Sequence, residues 1–166
     1  IGEVMPSDHG NVSMAMRRPF GVGTVISPWN FPTLLTARGL AFPIAAGNCV
    51  VLKPSEETPY TGGMIFAEIF EAAGVPPGVL NVVTCSRENV PAVGDIIVEH
   101  PLIKGISFTG STPVGRVIAA KAGAHLKTCC VELGGKDALI ICDDADMERA
   151  TAAANFGSFM HQGQIC

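Results

Sequence analysis

Charge is scarce in this chain. Asp, Glu, Lys and Arg make up 16% of its 166 residues, and the net charge is -4. That balance leaves no basic footprint for a nucleic-acid partner. Paired-cysteine motifs are missing too. Cys49, Cys85, Cys129, Cys130, Cys142 and Cys166 include no Cys-x-x-Cys, and no two histidines stand at metal-ligand spacing. No metal site is therefore expected. Most of these cysteines sit inside apolar runs, where a free Cys behaves as a small hydrophobe, and the expected setting is reducing and cytoplasmic. A membrane segment is not expected either. The uncharged stretch from Phe20 to Ala37 is broken by Gly21, Gly23, Ser27, Pro28, Asn30 and Pro32, a poor fit to lipid. Ile1-Gly2-Glu3-Val4 offers no starting Met and no basic region of a signal peptide. The chain is expected to begin inside a longer protein.

The ordinary dinucleotide fingerprint is also absent. Gly21-Val22-Gly23 begins a G-x-G-x-x-G, but Ile26 stands where the third glycine belongs. The pair precedes an apolar strand pattern rather than following one, so two turn glycines are the better reading.

What is present is a core. Apolar residues make up 48% of the chain, enough for one folded domain at this length. Strand-like and helix-like segments alternate. Strands are expected at Val22 to Ser27, Val50 to Lys53, Leu80 to Val83, Gly105 to Thr109, Thr128 to Leu133 and Ala138 to Ile141. Helices are expected at Phe31 to Ala46, Thr58 to Ala73, Val90 to Glu99, Thr112 to Ala122 and Ala150 to Phe159. Asp143, Asp144 and Asp146 supply start signals for the last, and Gly74 a stop for the second. Such repetition predicts an α/β fold: a parallel sheet flanked by helices, with ligands at the carboxyl ends of its strands. Before Phe20 the pattern changes, and Gly10-Asn11 suggests a hairpin or arm.

Several short motifs carry chemistry. Ser27-Pro28-Trp29-Asn30-Phe31-Pro32 holds the only Trp and a carboxamide between prolines. Asn30 suits a donor to a developing oxyanion, or a turn residue bonding its own backbone. Lys53-Pro54-Ser55-Glu56 follows a strand and suits ribose hydroxyls, or a solvated loop. Phe108-Thr109-Gly110-Ser111-Thr112-Pro113-Val114-Gly115 runs from a strand into a helix start, where backbone N–H groups suit a phosphate or merely a capped turn. Glu132 ends a strand before Gly134-Gly135. It suits a general base if partly buried, or a carboxylate facing water. His161 reads as a structural hydrogen-bonder. Cys166 closes the run Phe159-Met160-His161-Gln162-Gly163-Gln164-Ile165-Cys166 and suits a nucleophile.

The order of these motifs, Pro28 to Pro32, Lys53 to Glu56, Phe108 to Thr112, Glu132 to Lys136 and Gly163 to Cys166, resembles the aldehyde dehydrogenase superfamily over nearly the whole chain. The resemblance implies oxidation of an aldehyde to a carboxylic acid with NAD, or NADP as the alternative. It makes Cys166 the nucleophile, Asn30 half of the oxyanion hole and Glu132 the base for hydrolysis. The implied cofactor contacts are Ile26, Ser27, Pro28 and Trp29, then Lys53, Ser55 and Glu56. Phe108, Thr109, Gly110, Ser111 and Val114 follow, with Leu133 and Gly134. A carboxylate at Glu56 disfavours a 2′-phosphate, so NAD is expected over NADP. Residues up to about 19 resemble part of an oligomerisation arm, 20–132 the cofactor domain and 133–166 the beginning of a second, catalytic α/β domain. The full-length protein is expected to be a homodimer or homotetramer.

One segment departs from the family pattern. Thr84-Cys85-Ser86-Arg87-Glu88-Asn89 stands where many members have a glycine-rich turn beside the adenine. This segment and the residues around Cys166 resemble the branch acting on aromatic aldehydes such as benzaldehyde, salicylaldehyde or vanillin. Two alternatives differ in chemistry. A coenzyme A-acylating member commonly lacks the base, so Glu132 counts against it. A non-catalytic protein on this fold has no need of Asn30, Glu132 and Cys166 together. The 166 residues match the middle third of the family's chain and on their own are expected not to turn over aldehyde.

Overall fold

A computed structural model describes residues 2–8 and 10–166. A short antiparallel hairpin comes first, β1 (Gly2–Met5) with β2 (Ser13–Met16). Both strands are exposed along their whole length. The expected hairpin before Phe20 is therefore present. Gly10 in its turn takes a φ of 74°, a backbone that glycine adopts freely.

The body is a five-stranded sheet with every neighbour parallel. Its strands are β3 (Val22–Ile26), β4 (Cys49–Lys53), β5 (Leu80–Val82), β6 (Ile103–Gly110) and β7 (Thr128–Leu133). Their order is β5-β4-β3-β6-β7. The chain starts in the middle at β3, builds outward through β4 and β5, then crosses back to lay β6 on the other side. The strand order thus reverses at β3, and in sheets of this type the crevice at the carboxyl ends beside that reversal takes the ligand.

Four helices cover the two faces: α1 (Pro32–Ala45), α2 (Ile65–Ala72), α3 (Val90–Glu99) and α4 (Thr112–Ala124). Successive side chains of a strand point to opposite faces, and adjacent residues of β3 divide accordingly. Val25 joins Leu40, Val50, Leu52 and Phe66 in the core under α1 and α2. Ile26 joins Ile97, Val98, Ile106, Phe108 and Ile118 under α3 and α4. A fifth helix, α5 (Met147–Phe159), follows β7 and buries none of its residues. Its cap is Asp146, whose carboxylate accepts the N–H groups of Glu148 and Arg149 at 3.0 and 3.2 Å.

Two segments differ from their sequence pattern. The helix expected from Thr58 begins as a π turn at Tyr60–Met64 and becomes α-helical at Ile65. Gly62 and Gly63 lie against the prolines of neighbouring segments, and a Cβ on Gly63 would fall 2.6 Å from Pro54 Cγ. The hydroxyls of Thr33 and Thr36 on α1 donate to the carbonyls of Thr61 and Gly62 at 3.0 and 2.9 Å. These outside donors favour a wider turn over regular α-helix. Ala138 to Ile141 is not a strand. No ladder partner stands beside it among the described residues, and Ile140 is 85% exposed. Alternating hydrophobicity makes a strand only where a neighbouring edge takes its hydrogen bonds.

Candidate active site

The loops that leave β3, β4 and β6 meet helices α3 and α4 around one cavity of about 460 Å³. Ile26, Ser27, Pro28 and Trp29 line it from the end of β3, and Lys53, Ser55 and Glu56 from the end of β4. Phe108, Thr109, Gly110, Ser111 and Val114 line it from β6 and the start of α4. Twelve of the fourteen residues singled out for a cofactor thus share one wall. Leu133 and Gly134 lie outside it. Leu133 packs under α4 instead, where a Cβ on Gly115 would run into Leu133 Cδ2. Gly134 sits by the backbone of Cys166.

Of the remaining wall, the sequence reading had named only Val114. Val90, Gly94 and Val98 of α3 face Val114, Val117 and Ile118 of α4 across an apolar slot. Their spacing of three and four residues is one helical face, and that periodicity was the available signal. Gly94 has open space where a Cβ would stand. At the far end Lys121 bridges the helices, with its ammonium 2.8 Å from both Asp95 and Glu99. Hydrogen bonds to those carboxylates raise the Lys121 pKa above its usual value.

Charge in the cavity is paired. Lys53 is 4% exposed, and its Nζ lies 3.5 Å from Glu56 Oε2. A buried ammonium is costly without such a partner. Ser55 turns the loop, its Oγ accepting from Glu57 N at 3.2 Å. Ser27 is buried against Thr36, with their hydroxyl oxygens 2.7 Å apart. Thr36 has one proton and gives it to the Gly62 carbonyl, so Ser27 donates to Thr36. At the start of α4 the Ser111 side chain makes no capping bond. Pro113 has no N–H, so the first-turn donors that Ser111 leaves uncapped are those of Thr112 and Val114, beside the cavity.

Asn30 does not bond its own backbone. Its Nδ2 donates to the Gln164 carbonyl at 2.9 Å, across 134 residues of chain. Next to it, the Phe31 ring stacks on His161 with centroids 4.6 Å apart. His161 thus acts through its ring face. His161, Gln162 and Gly163 hold φ values of 50°, 53° and 72°. Three left-handed residues in a row, two with side chains, make a tightly wound loop ahead of Cys166. Cys166 is half-buried, and its carbonyl accepts from Gly135 N. The loop is therefore tied on one side to Asn30 and Phe31 and on the other to the exit of β7.

For Glu132 the sequence left two settings open, partly buried or facing water. It is exposed, and its carboxylate pairs with the Arg38 guanidinium of α1. Arg38 was missed by sequence reading because a charged residue within a helix reads as a solvated face. All six cysteines carry free thiols. Burial, then the neighbouring Cys130, pushes the Cys129 thiol pKa up.

Comparison with known proteins places this geometry in context. The chain is 51% identical to a vanillin dehydrogenase of Amycolatopsis sp., over 99% of its own length and 33% of the relative's. It superposes on the structure of a salicylaldehyde dehydrogenase from Pseudomonas putida G7 complexed with salicylaldehyde, with a TM-score of 0.95 and 46% identity, covering 99% of this chain and 34% of that one. PnpE, known from Pseudomonas sp. WBC-3 and solved in complex with nicotinamide adenine dinucleotide, matches in that complex with a TM-score of 0.93 and 40% identity, over 99% of this chain and 33% of that one. The chain spans about a third of the length of the curated relatives it matches. The profile described as the Aldehyde dehydrogenase family matches residues 1–166; the chain belongs to the aldehyde dehydrogenase family.

Proposed function

We propose that these residues carry the nucleotide cradle and the nucleophile of an NAD-dependent aldehyde dehydrogenase acting on aromatic aldehydes. The observation that carries the reading is the bond from Asn30 to Gln164. It joins the loop beside the cavity to the loop that presents Cys166. The segment 20–132 serves as the cofactor domain, 133–166 as the beginning of the catalytic domain, and 1–19 as part of an oligomerisation arm. A homodimer or homotetramer in the reducing cytoplasm fits that division.

The cavity suits a pyridine dinucleotide on its own chemistry. The uncapped start of α4 suits a pyrophosphate. The apolar slot between α3 and α4 suits a flat base. Lys53 and Glu56 suit ribose hydroxyls, and the Glu56 carboxylate opposes a 2′-phosphate, which favours NAD over NADP. When bound, the nicotinamide accepts a hydride.

The chain's own residues supply the rest. Cys166, having given up its proton, attacks the carbonyl carbon of the aldehyde as the thiolate, forming a C–S bond and moving the negative charge onto oxygen. Asn30 gives one N–H to Gln164 and keeps a second for that oxygen, beside the Cys166 N–H. Loss of hydride leaves a thioester on Cys166. Glu132 then takes a proton from the water that releases the acid.

The test is NADH formation by the protein at the full length of its relatives, across aromatic and aliphatic aldehydes. Aromatic aldehydes should be preferred, the product should be the free acid, and Cys166→Ala should abolish the signal. Aldehyde-independent behaviour, an acyl-coenzyme A product or comparable efficiency with NADP would each remove a part of the proposal.

A further inference from the structure

We propose that Arg38 is a positioning residue for Glu132 and serves the hydrolytic half of the reaction; this rests on the roles of Cys166 and Glu132 given above. Arg38 Nη2 meets Glu132 Oε2 across 94 residues of sequence. Both side chains are about half exposed, at 48% and 47%. A pair so open to solvent contributes about 0–1 kcal/mol to stability. Folding is therefore a weak reason for an arginine here.

The surroundings give a better one. Arg38 and Glu132 stand at the edge of a second cavity, of about 320 Å³, whose other walls include Val25, Leu35 and Phe42. Among the described residues, neither member of the pair has another ion-pair partner. Close packing brings the arginine to the sheet. A Cβ on Gly39 would fall 2.6 Å from Val25 Cγ1, so glycine lets α1 approach β3. The same helix begins two residues after Asn30. Arg38 stands about 9 Å further along its axis, at 1.5 Å per residue. The helix thus carries the group that holds the base, and the turn leading directly into it carries the oxyanion donor.

The division of labour follows from the contact. Arginine stays protonated, so it orients and does not itself take the proton. It engages Oε2 and leaves Oε1 for water. In hydrolysis the water oxygen bonds to the thioester carbon and one water proton passes to Glu132 Oε1. The C–S bond breaks, sulfur leaves as the Cys166 thiolate and the carboxylic acid departs. Without Arg38 the carboxylate loses its fixed aim, and the acylated enzyme waits longer for water.

The experiment compares wild type, Arg38→Met, Arg38→Gln and Arg38→Lys in the protein at the full length of its relatives. Benzaldehyde and NAD are the probes, and intact mass after acid quenching reports acyl-Cys166. For Met and Gln, kcat should fall about tenfold while the acylated fraction rises several-fold and KM stays within about twofold. Lys should recover part of the rate. A fall in kcat without accumulated acyl-enzyme, or a change in KM alone, would overturn the proposal. Gln and Lys keep the comparison readable if Met disturbs folding. A wild type that makes no aldehyde-dependent NADH would defeat the functional reading first and this proposal with it.

Discussion

Gly110 rests on the ring of Phe108. A Cβ added there would fall 2.6 Å from Phe108 Cζ, and Phe108 is 5% exposed, so the ring has to shift to admit it. The family resemblance implied Gly110 only as a cofactor contact; the structure adds that the floor of the cavity depends on it. Gly110→Ala is therefore expected to tilt the Phe108 ring and to destabilise by about 1–3 kcal/mol, as other overpacked sites do. NADH binding, followed by fluorescence in the full-length protein, should weaken about tenfold or more, which is 1.4 kcal/mol. Unchanged binding with a lowered melting temperature would restrict Gly110 to packing. At this scale the legible residues were those in short rigid motifs, where prolines and glycines announce a special backbone. Arg38 was illegible because its meaning lies in Glu132, which the chain reaches only 94 residues later.

Three helices, α1, α2 and α4, end alike, with one exception in chemistry. After α1, Gly47 N and Asn48 N donate back to Ile44 O and Pro43 O at 2.9 and 3.0 Å. After α2, Gly74 N and Val75 N donate to Glu71 O and Phe70 O, both at 3.0 Å. After α4, Leu126 N and Lys127 N do the same with Gly123 O and Ala122 O at 3.0 and 2.9 Å. Each is a Schellman ending, which puts its first residue past the cap in the left-handed region. Gly47 and Gly74 adopt it freely, whereas Leu126 holds a φ of 52°. Its side chain is 96% exposed, so no packing offsets the strain. Leu126→Gly is expected to stabilise the fold by about 1 kcal/mol. Thermal unfolding checks this, and an unchanged or lower melting temperature would refute it. Gly47 follows directly on the expected end of α1 at Ala46, and the Gly74 stop was read from the sequence. The α4 stop was not, because nothing about Leu126 signals a left-handed turn. Lys127 reinforces the same corner by donating to the Val98 and His100 carbonyls at 2.5 and 2.6 Å. Burial and the nearby Lys104 charge lower its pKa.

Across the whole molecule, the alternation of segments predicted a parallel sheet, and the sheet is there. Its order was beyond reach, since nothing local tells β6 to cross to the far side of β3. That crossing is what opens the crevice. The strand expected at 138–141 failed for a related reason: a strand is a property of two chains, and its apolar residues are present without a neighbour. These unmatched surfaces have a consequence. Ile140 is 85% exposed, Phe42 76%, Phe159 75% and Phe156 67%. Apolar surface on this scale marks regions that contact further protein, and the relatives are about three times as long as this chain. The 166 residues expressed alone should therefore self-associate, seen as a mass by light scattering that grows with concentration. They should give no NADH from aldehyde and NAD above background, even with Asn30, Glu132 and Cys166 intact. The same residues within a chain of the relatives' length should give a fixed mass and turnover. Activity in the isolated segment would mean that the cradle and the cysteine loop suffice, and that the exposed faces have no part in holding Cys166 against the cofactor.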